Sequence, residues 1–266
     1  MKEKLRIVLD FRSYEPYFNL AVDEALARLR LEDKICDTLR FWIVSPAVII
    51  GYFQKVSKVV NIDYCRRNNI AILRRPSSGG AVYCDEGVLL YSLIINTSNW
   101  APLVKYPRFS YRYLTKPFIQ ALNAVGVQAS FMNPGMIVVD NKKISGIAQF
   151  YLYNVLLLHG TLLLYPNFSH LVNSLKNPNV PFGDKLISPS EGLLPLCSKK
   201  RIFCEKDILI KLVWIISYFF KNLFRKKIYF ETLSEKERML ARILSAQKYI
   251  SRGWIENKNI VDSVIL

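Results

Sequence analysis

Apolar positions along this chain recur in two periods, and the switches between them mark out the elements. Leu5 to Asp10 alternates and predicts an edge strand, and Leu20, Glu24, Ala27 and Leu31 then fall at helical spacing in a helix over Pro16 to Arg30. Thr38 to Val44 and Ala47 to Ile50 are β-branched and aromatic runs split by Ser45-Pro46, which predicts a hairpin closed by Gly51. A short helix over Asp63 to Asn68 leads into strands over Ile70 to Leu73 and Val88 to Ile95. Tyr113, Leu114, Phe118, Ala121, Leu122 and Val125 share one face of a helix over Ser110 to Val125 that Gly126 caps. Gln128 to Met132, Met136 to Val139, Ile144 to Gln149 and Leu156 to Leu164 follow as an antiparallel meander, with turns at Asn133-Pro134-Gly135 and Asp140-Asn141. Beyond it the pattern predicts a helical turn over Ser169 to Leu175, an ordered loop over Asn177 to Ser198, a helix over Glu205 to Phe224 and a strand over Ile228 to Thr232. The capping box Ser234-Glu235-Lys236-Glu237 opens a last helix through Tyr249.

Strand clusters interleaved with helices predict an α+β fold of mixed or antiparallel sheets flanked by helices. Residues 1–266 form one unit, with no internal repeat. A hydrophobic fraction of 51% with 13% aromatics excludes disorder. The longest apolar run, Leu209 to Phe224, is too short for a membrane span and carries Lys211 and Lys221. Met1 to Arg6 enters a strand with no apolar run of signal-peptide length, so the expected location is cytoplasmic. The five cysteines, an odd number without metal-ligand spacing, are expected to be buried reduced thiols, and no metal site is expected. The formal net charge of +16 points to an acidic or polyanionic partner: nucleic acid, an acidic protein, or a phosphate-bearing substrate.

Three segments carry candidate chemistry. Arg74-Arg75-Pro76-Ser77-Ser78-Gly79-Gly80-Ala81-Val82-Tyr83-Cys84-Asp85 joins a basic pair to a hinge of two glycines and a returning strand. Glycine admits positive φ and leaves no side chain in the way, so the turn can wrap main-chain N–H groups around an anion while the arginines neutralise it. The plainer reading is a polar turn. Lys142-Lys143-Ile144-Ser145-Gly146-Ile147-Ala148-Gln149 delivers a lysine beside small residues, so its amine can reach a ligand lying along the strand; alternatively it is a solvated turn lysine. Leu157-Leu158-His159-Gly160-Thr161-Leu162-Leu163-Leu164 sets a polar triplet inside an apolar strand, where His159 is either a satisfied core residue or faces a ligand that Gly160 lets approach.

Together these segments resemble the lipoate-protein ligase and octanoyltransferase family, which shares its fold with biotin-protein ligases and class II aminoacyl-tRNA synthetases. The match extends to Asn19-x-x-x-Asp23-Glu24 and Val48-Ile49-Ile50-Gly51-x-x-Gln54, and it covers roughly residues 5–165, leaving 166–266 as helical and loop elaboration. The resemblance implies that Lys143 is the catalytic residue. It also implies that Arg74, Arg75, Ser77, Ser78, Gly79, Gly80, Ala81, Tyr83, Asp85, Ser145, Gly146, Ala148, His159, Gly160 and Thr161 bind the acyl group and adenylate. Lipoate or octanoate and ATP with Mg2+ would give the acyl-adenylate. The acyl acceptor would be a lysine of acidic lipoyl domains in 2-oxoacid dehydrogenase or glycine cleavage complexes.

The chain departs from the ligase pattern at Ser78, in place of a glycine, at Cys84, where histidine is common, and at Gly135-Met136, where ligases often carry Asn-Asp. The transferase branch is the main alternative. It takes octanoyl from an acyl carrier protein through a cysteine thioester and needs no ATP. One transferase group carries that cysteine before the lysine, where this chain has Ala129-Ser130-Phe131-Met132, which favours the ligase; Cys84, Cys197 and Cys204 stay open as spatial neighbours. The chain ends soon after Trp254, like a ligase without its C-terminal domain, so a separate small accessory protein is expected to assist activation. The remote alternative, a nucleic-acid module, rests on Lys199-Lys200-Arg201, Arg225-Lys226-Lys227 and the many tyrosines. Such clusters are usually solvated faces, and no nucleic-acid or membrane partner is expected.

Overall fold

The computed structural model describes residues 4–11, 15–98, 106–176, 180–182, 185–200, 203 and 206–259. In chain order the strands are β1 (Lys4–Asp10), β2 (Asp37–Trp42), β3 (Ala47–Ile50), β4 (Ala71–Arg74), β5 (Val82–Cys84), β6 (Val88–Asn96), β7 (Ala129–Met132), β8 (Met136–Val139), β9 (Lys142–Leu152), β10 (Val155–Leu163), β11 (Val180–Phe182), β12 (Lys185–Ile187) and β13 (Lys227–Phe230). Eight of them make one mixed sheet in the spatial order β13-β1-β2-β6-β10-β9-β8-β7. A smaller sheet has the order β4-β3-β5, and β11 and β12 pair by themselves.

The near-continuous apolar runs of β6 and β10 have a simple cause. Both strands are covered on both faces, and successive side chains feed different cores. Leu89, Tyr91, Leu93 and Ile95 of β6, with Leu156, Leu158 and Leu162 of β10, pack under the helices Pro107–Leu114, Lys116–Ala124 and Lys206–Phe224. Their alternates Val88, Leu90, Ile94, Val155, Leu157 and Leu163 pack under Pro16–Leu31 and the C-terminal helices. Buried Glu24 of Pro16–Leu31 accepts from Lys248 Nζ at 2.7 Å and Tyr249 Oη at 2.6 Å, which ties the C-terminal segment to the first helix.

The α+β class and the meander β7-β8-β9-β10 match the expectation, as does the Ser234–Glu237 capping box, though the helix Glu235–Leu244 passes into a π-helical turn over Ser245–Tyr249. The predicted hairpin over residues 38–50 does not form. β2 lies between β1 and β6 in the large sheet, while β3 centres the small one, parallel to β4 and antiparallel to β5. Ser45-Pro46 therefore carries the chain from one sheet to another, because β3 has better partners in the strands that flank the glycine turn. The helix predicted over Ser110 to Val125 breaks at Thr115, where Pro117 removes a donor and starts a second helix at Lys116. Glu205, Arg201, Cys204 and part of the loop Asn177–Ser198 lie outside the described residues. Cys36, Cys65 and Cys84 are free and buried, as expected, whereas Cys197 is disulfide-bonded. No helix among the described residues is long and apolar enough to cross a membrane.

Candidate active site

β4 delivers Arg74 and Arg75 to the edge of a cavity, and strand geometry separates them, since adjacent side chains point to opposite faces. Arg74 turns away. Its Nη1 donates to the carbonyls of Gly51 (3.1 Å) and Gln54 (2.8 Å), its Nε to Trp254 (3.1 Å) and Ile255 (2.9 Å), and Trp254 Nε1 donates back to the Arg74 carbonyl. The expected anion contact of Arg74 is therefore corrected: its guanidinium is consumed in binding the C-terminal helix Arg252–Asn257 to the loop after β3. Arg75 faces the cavity. Its Nε donates to Ser77 Oγ (3.0 Å), Nη1 to the Ile49 carbonyl (3.1 Å) and Nη2 to the carbonyls of Ser78 (2.8 Å) and Gly80 (2.9 Å). None of these partners is a carboxylate, and burial pulls the Arg75 pKa down to about 10.

The glycine turn is pressed against β3. Gly79 has φ +101°, which glycine adopts without strain. A Cβ on Gly51 would sit 2.1 Å from the Gly79 carbonyl oxygen, so this approach requires glycine at 51. Tyr52 N–H donates to the Ser77 carbonyl at 2.8 Å, and Gly51 N–H donates to the Gln54 side chain at 3.0 Å.

Lys143 enters from the opposite wall. The two-residue turn Asp140-Asn141, with both φ positive (48° and 59°), reverses the chain from β8 into β9. A register shift at Ile137/Val138 follows in the pairing, and the Lys143 carbonyl accepts from Leu194 N–H at 3.0 Å. The Lys143 amine lies over Gly146, where a Cβ would stand 2.9 Å from Nζ. Burial, and then the neighbouring Arg75, lower the Lys143 pKa to about 8. On β10, Gly160 leaves room for Tyr91 Oη, which meets Ser145 Oγ at 3.1 Å, and Thr161 Oγ1 accepts weakly from Gly146 N–H at 3.4 Å.

Between these walls lies a cavity of about 450 Å3. Of the expected site residues, Lys143, Arg75, Gly79, Gly80, Ala81, Tyr83, Gly146, Ala148, His159, Gly160 and Thr161 line it. Arg74, Ser77, Ser78, Asp85 and Ser145 do not. Ser77 stands behind the wall against His159, Ser78 is exposed and offers only its carbonyl, and Ser145 is buried under Tyr91. Asp85 accepts from Gly87 and Asn167 N–H groups, so it ties a turn together rather than facing a ligand. Leu20, Trp42, Ile49, Val82, Leu90, Leu163, Leu171 and Leu193 supply the apolar lining that sequence reading missed, because each looks like any other core residue. Gln54, which lies in the segment Val48-Ile49-Ile50-Gly51-x-x-Gln54 of the family resemblance but was not among the expected site residues, also lines it. Lys58, an exposed cation at the lining, had no signal. Pro134, Gly135 and Met136, the segment that departs from Asn-Asp, also line the cavity.

The lining contains the buried Arg75 and the half-buried Lys143, and no carboxylate, beside a long apolar wall. That chemistry suits a ligand with an anionic head and an apolar tail, set in a mixed α+β fold. The chain belongs to the lipoyl protein ligase A/B catalytic-domain family, whose profile matches residues 15–188. It is similar to the lipoate-protein ligase LplJ of Bacillus subtilis, at 36% identity over 61% of this chain and 46% of that protein. It is also similar to the octanoyltransferase LipM of Clostridioides difficile, at 35% over 59% and 65%, and to a probable lipoate-protein ligase A of Mycoplasma genitalium, at 30% over 84% and 61%. The chain thus spans about half to two thirds of the length of these relatives. Among solved structures, a lipoate-protein ligase A bound with ATP superposes with TM-score 0.79 at 25% identity, covering 95% of this chain and 98% of that one. A structure from work on a bipartite lipoate protein ligase and its E2 lipoyl domain from Thermoplasma acidophilum gives 0.78 at 26%, covering 95% and 96%.

Proposed function

We propose that the chain is the catalytic part of an ATP-dependent lipoate-protein ligase that acts on lipoate or octanoate. The observation that carries this reading is the pair Lys143 and Arg75, a half-buried and a buried cation facing one apolar cavity whose lining holds no carboxylate. Such a pair is costly to bury and gains most when an anion arrives. The acyl chain lies along the apolar wall. Its carboxylate oxygen attacks the α-phosphorus of ATP, a P–O bond forms, and the bond to the β-phosphate breaks to release pyrophosphate. The amine of a lipoyl-domain lysine then attacks the acyl carbon, the C–O bond to AMP breaks, and the amine loses its proton as the amide forms. The Lys143 ammonium and the remaining Arg75 N–H offset negative charge on the acyl carbonyl and bridging oxygens. Mg2+ would be held through the nucleotide phosphates and water, the donor set this ion prefers, since the cavity lining offers it no carboxylate.

The formal charge of +16 suits electrostatic steering of acidic lipoyl domains, and an E2 lipoyl domain is the partner named with the archaeal ligase. A separate small accessory protein would assist the activation half-reaction, and rapid lipoylation from ATP and free lipoate by the purified chain alone would defeat that part. The second reading, a thioester octanoyltransferase, is supported by the similarity to LipM. It is weakened by the lining, which includes no cysteine among the described residues, and by Cys84, whose fully buried thiol is pushed up by desolvation. A mass-shift assay on an unmodified lipoyl domain separates them, with lipoate or octanoate plus ATP in one tube and octanoyl carrier protein in another. The ligase gives product in the first only, and Lys143→Ala gives none. No mass increase with any donor, accessory protein included, would refute both.

A further inference from the structure

We propose that Asp23, His159 and Ser77 form a positioning relay that fixes Arg75 and the glycine turn at the anion end of the cavity; this rests on the acyl-anion reading above. The relay starts deep between the first helix and the large sheet. Asp23 Oδ1 accepts from Arg40 Nη1 at 3.0 Å and Asp23 Oδ2 from Ser92 Oγ at 2.6 Å, while Arg40 Nη2 also donates to Asp10 Oδ2 at 2.8 Å. Two carboxylates therefore share one arginine, and Asp23 is the one of the pair that also faces His159. That carboxylate faces His159 Nδ1 at 3.8 Å, too far for a hydrogen bond, and the ring proton lies on Nδ1 because Arg75 Nε occupies the Ser77 oxygen and turns the hydroxyl proton toward Nε2. With Nδ1 protonated, His159 Nε2 presents a lone pair to Ser77 Oγ at 2.6 Å. The Ser77 hydroxyl then donates to His159, and its oxygen accepts from Arg75 Nε at 3.0 Å.

The order Ser–His–Asp invites comparison with a nucleophilic triad. Ser77 is 1% exposed and outside the cavity lining, and its oxygen already accepts from Arg75. It holds rather than attacks. The arrangement answers a problem specific to Arg75. This cation must stay unpaired to serve an anion, yet it must not swing. A carboxylate partner would fix it but neutralise it. A hydroxyl backed by His159 fixes Nε without a charge, and the compensating negative charge stands one residue further back on Asp23. The guanidinium is then oriented to hold the carbonyls of Ser78 and Gly80, which shape the turn.

The test compares octanoate with octanamide, a neutral ligand carrying the same chain, by calorimetry or by quenching of tryptophan fluorescence, since Trp42 lines the cavity. The wild type binds octanoate more tightly. Ser77→Ala, with folding checked by circular dichroism, loses roughly tenfold of octanoate affinity, the scale of one misplaced charge-assisted hydrogen bond, and keeps its octanamide affinity. Ser77→Thr retains the hydroxyl and the preference for the acid, and His159→Gln and Asp23→Asn shift the ratio in the direction of Ser77→Ala. An unchanged ratio in Ser77→Ala while Lys143→Ala loses it overturns the relay alone. Equal weakening of both ligands makes Ser77 merely structural and also overturns it. A wild type that binds both ligands equally sinks the anion site and the relay together, and covalent capture of Ser77 by a fluorophosphonate would make it a nucleophile instead.

Discussion

Gly51→Ala tests whether the seating of the glycine turn controls the site. The added methyl would stand 2.1 Å from the Gly79 carbonyl oxygen and 3.0 Å from its carbon, and both are backbone atoms that cannot rotate aside. An ordinary contact begins at 3.4 Å, so the turn must retreat by more than an ångström. That displacement stretches the 2.8 and 2.9 Å bonds from Arg75 to Ser78 and Gly80 beyond hydrogen-bonding range. Overpacking of this kind costs about 1–3 kcal/mol, which lowers Tm by about 2–4 °C per kcal/mol in a chain of this size. Misplacing a binding group by about 1 Å costs on the order of 100-fold in rate. A thermal melt and the rate of lipoyl-domain acylation measure the two effects, and activity should fall far more than stability. Gly80→Ala is the contrast. A Cβ there meets nothing within 4 Å, so Tm stays while a bound anion is obstructed. Wild-type activity in Gly51→Ala would refute the claim that the turn is seated by this contact.

Other outcomes follow from neighbouring contacts. Arg74→Met leaves the carbonyls of Gln54 and Ile255 without their donor, while Gly51 and Trp254 keep the N–H groups of Gln54 and Lys258, and should destabilise by roughly 3 kcal/mol, read from the urea midpoint; a change below about 1 kcal/mol would count against its structural role. Lys143 has a folded pKa of about 8, so the ammonium that attracts an anion is present below that pH and lost above it; octanoate affinity measured across pH 7–9 should fall as pH rises through that value, about tenfold per unit beyond it, and a flat profile would exclude Lys143 as the anion partner. Burial alone would raise the Glu24 carboxyl, but the Lys248 ammonium and its hydrogen bond more than offset this and leave it below the usual range. Its stabilisation is therefore complete above the ordinary glutamate pKa and disappears as pH falls through the lowered one. Glu24→Gln should cost about 3–5 kcal/mol near neutrality by stranding Lys248, with the gap to wild type closing in acid. Cys84→Ser should retain acyl transfer in the mass-shift assay, whereas abolished transfer would restore the thioester route.

Read alone, the chain disclosed those parts that depend on local periodicity and on the identity and order of short motifs. The meander β7 to β10, the capping box at Ser234, and the approach of the glycine turn and Lys143 to one cavity are of this kind, because turn chemistry and alternation are encoded within a few residues. Tertiary structure decided what depends on distant partners. Arg74 and Arg75 are equivalent in a motif, yet strand alternation sends one to the C-terminal helix and the other to the cavity. Ala47 to Ile50 follows β2 closely but joins another sheet, since strand pairing is chosen by the best available edges rather than by adjacency. The apolar wall from Leu20 to Leu193 and the placement of Asp23 behind His159 arise only when segments far apart in sequence are brought together. Burial then turns ordinary leucines into a cavity wall and a lysine of ordinary sequence into a group whose pKa is lowered to about 8.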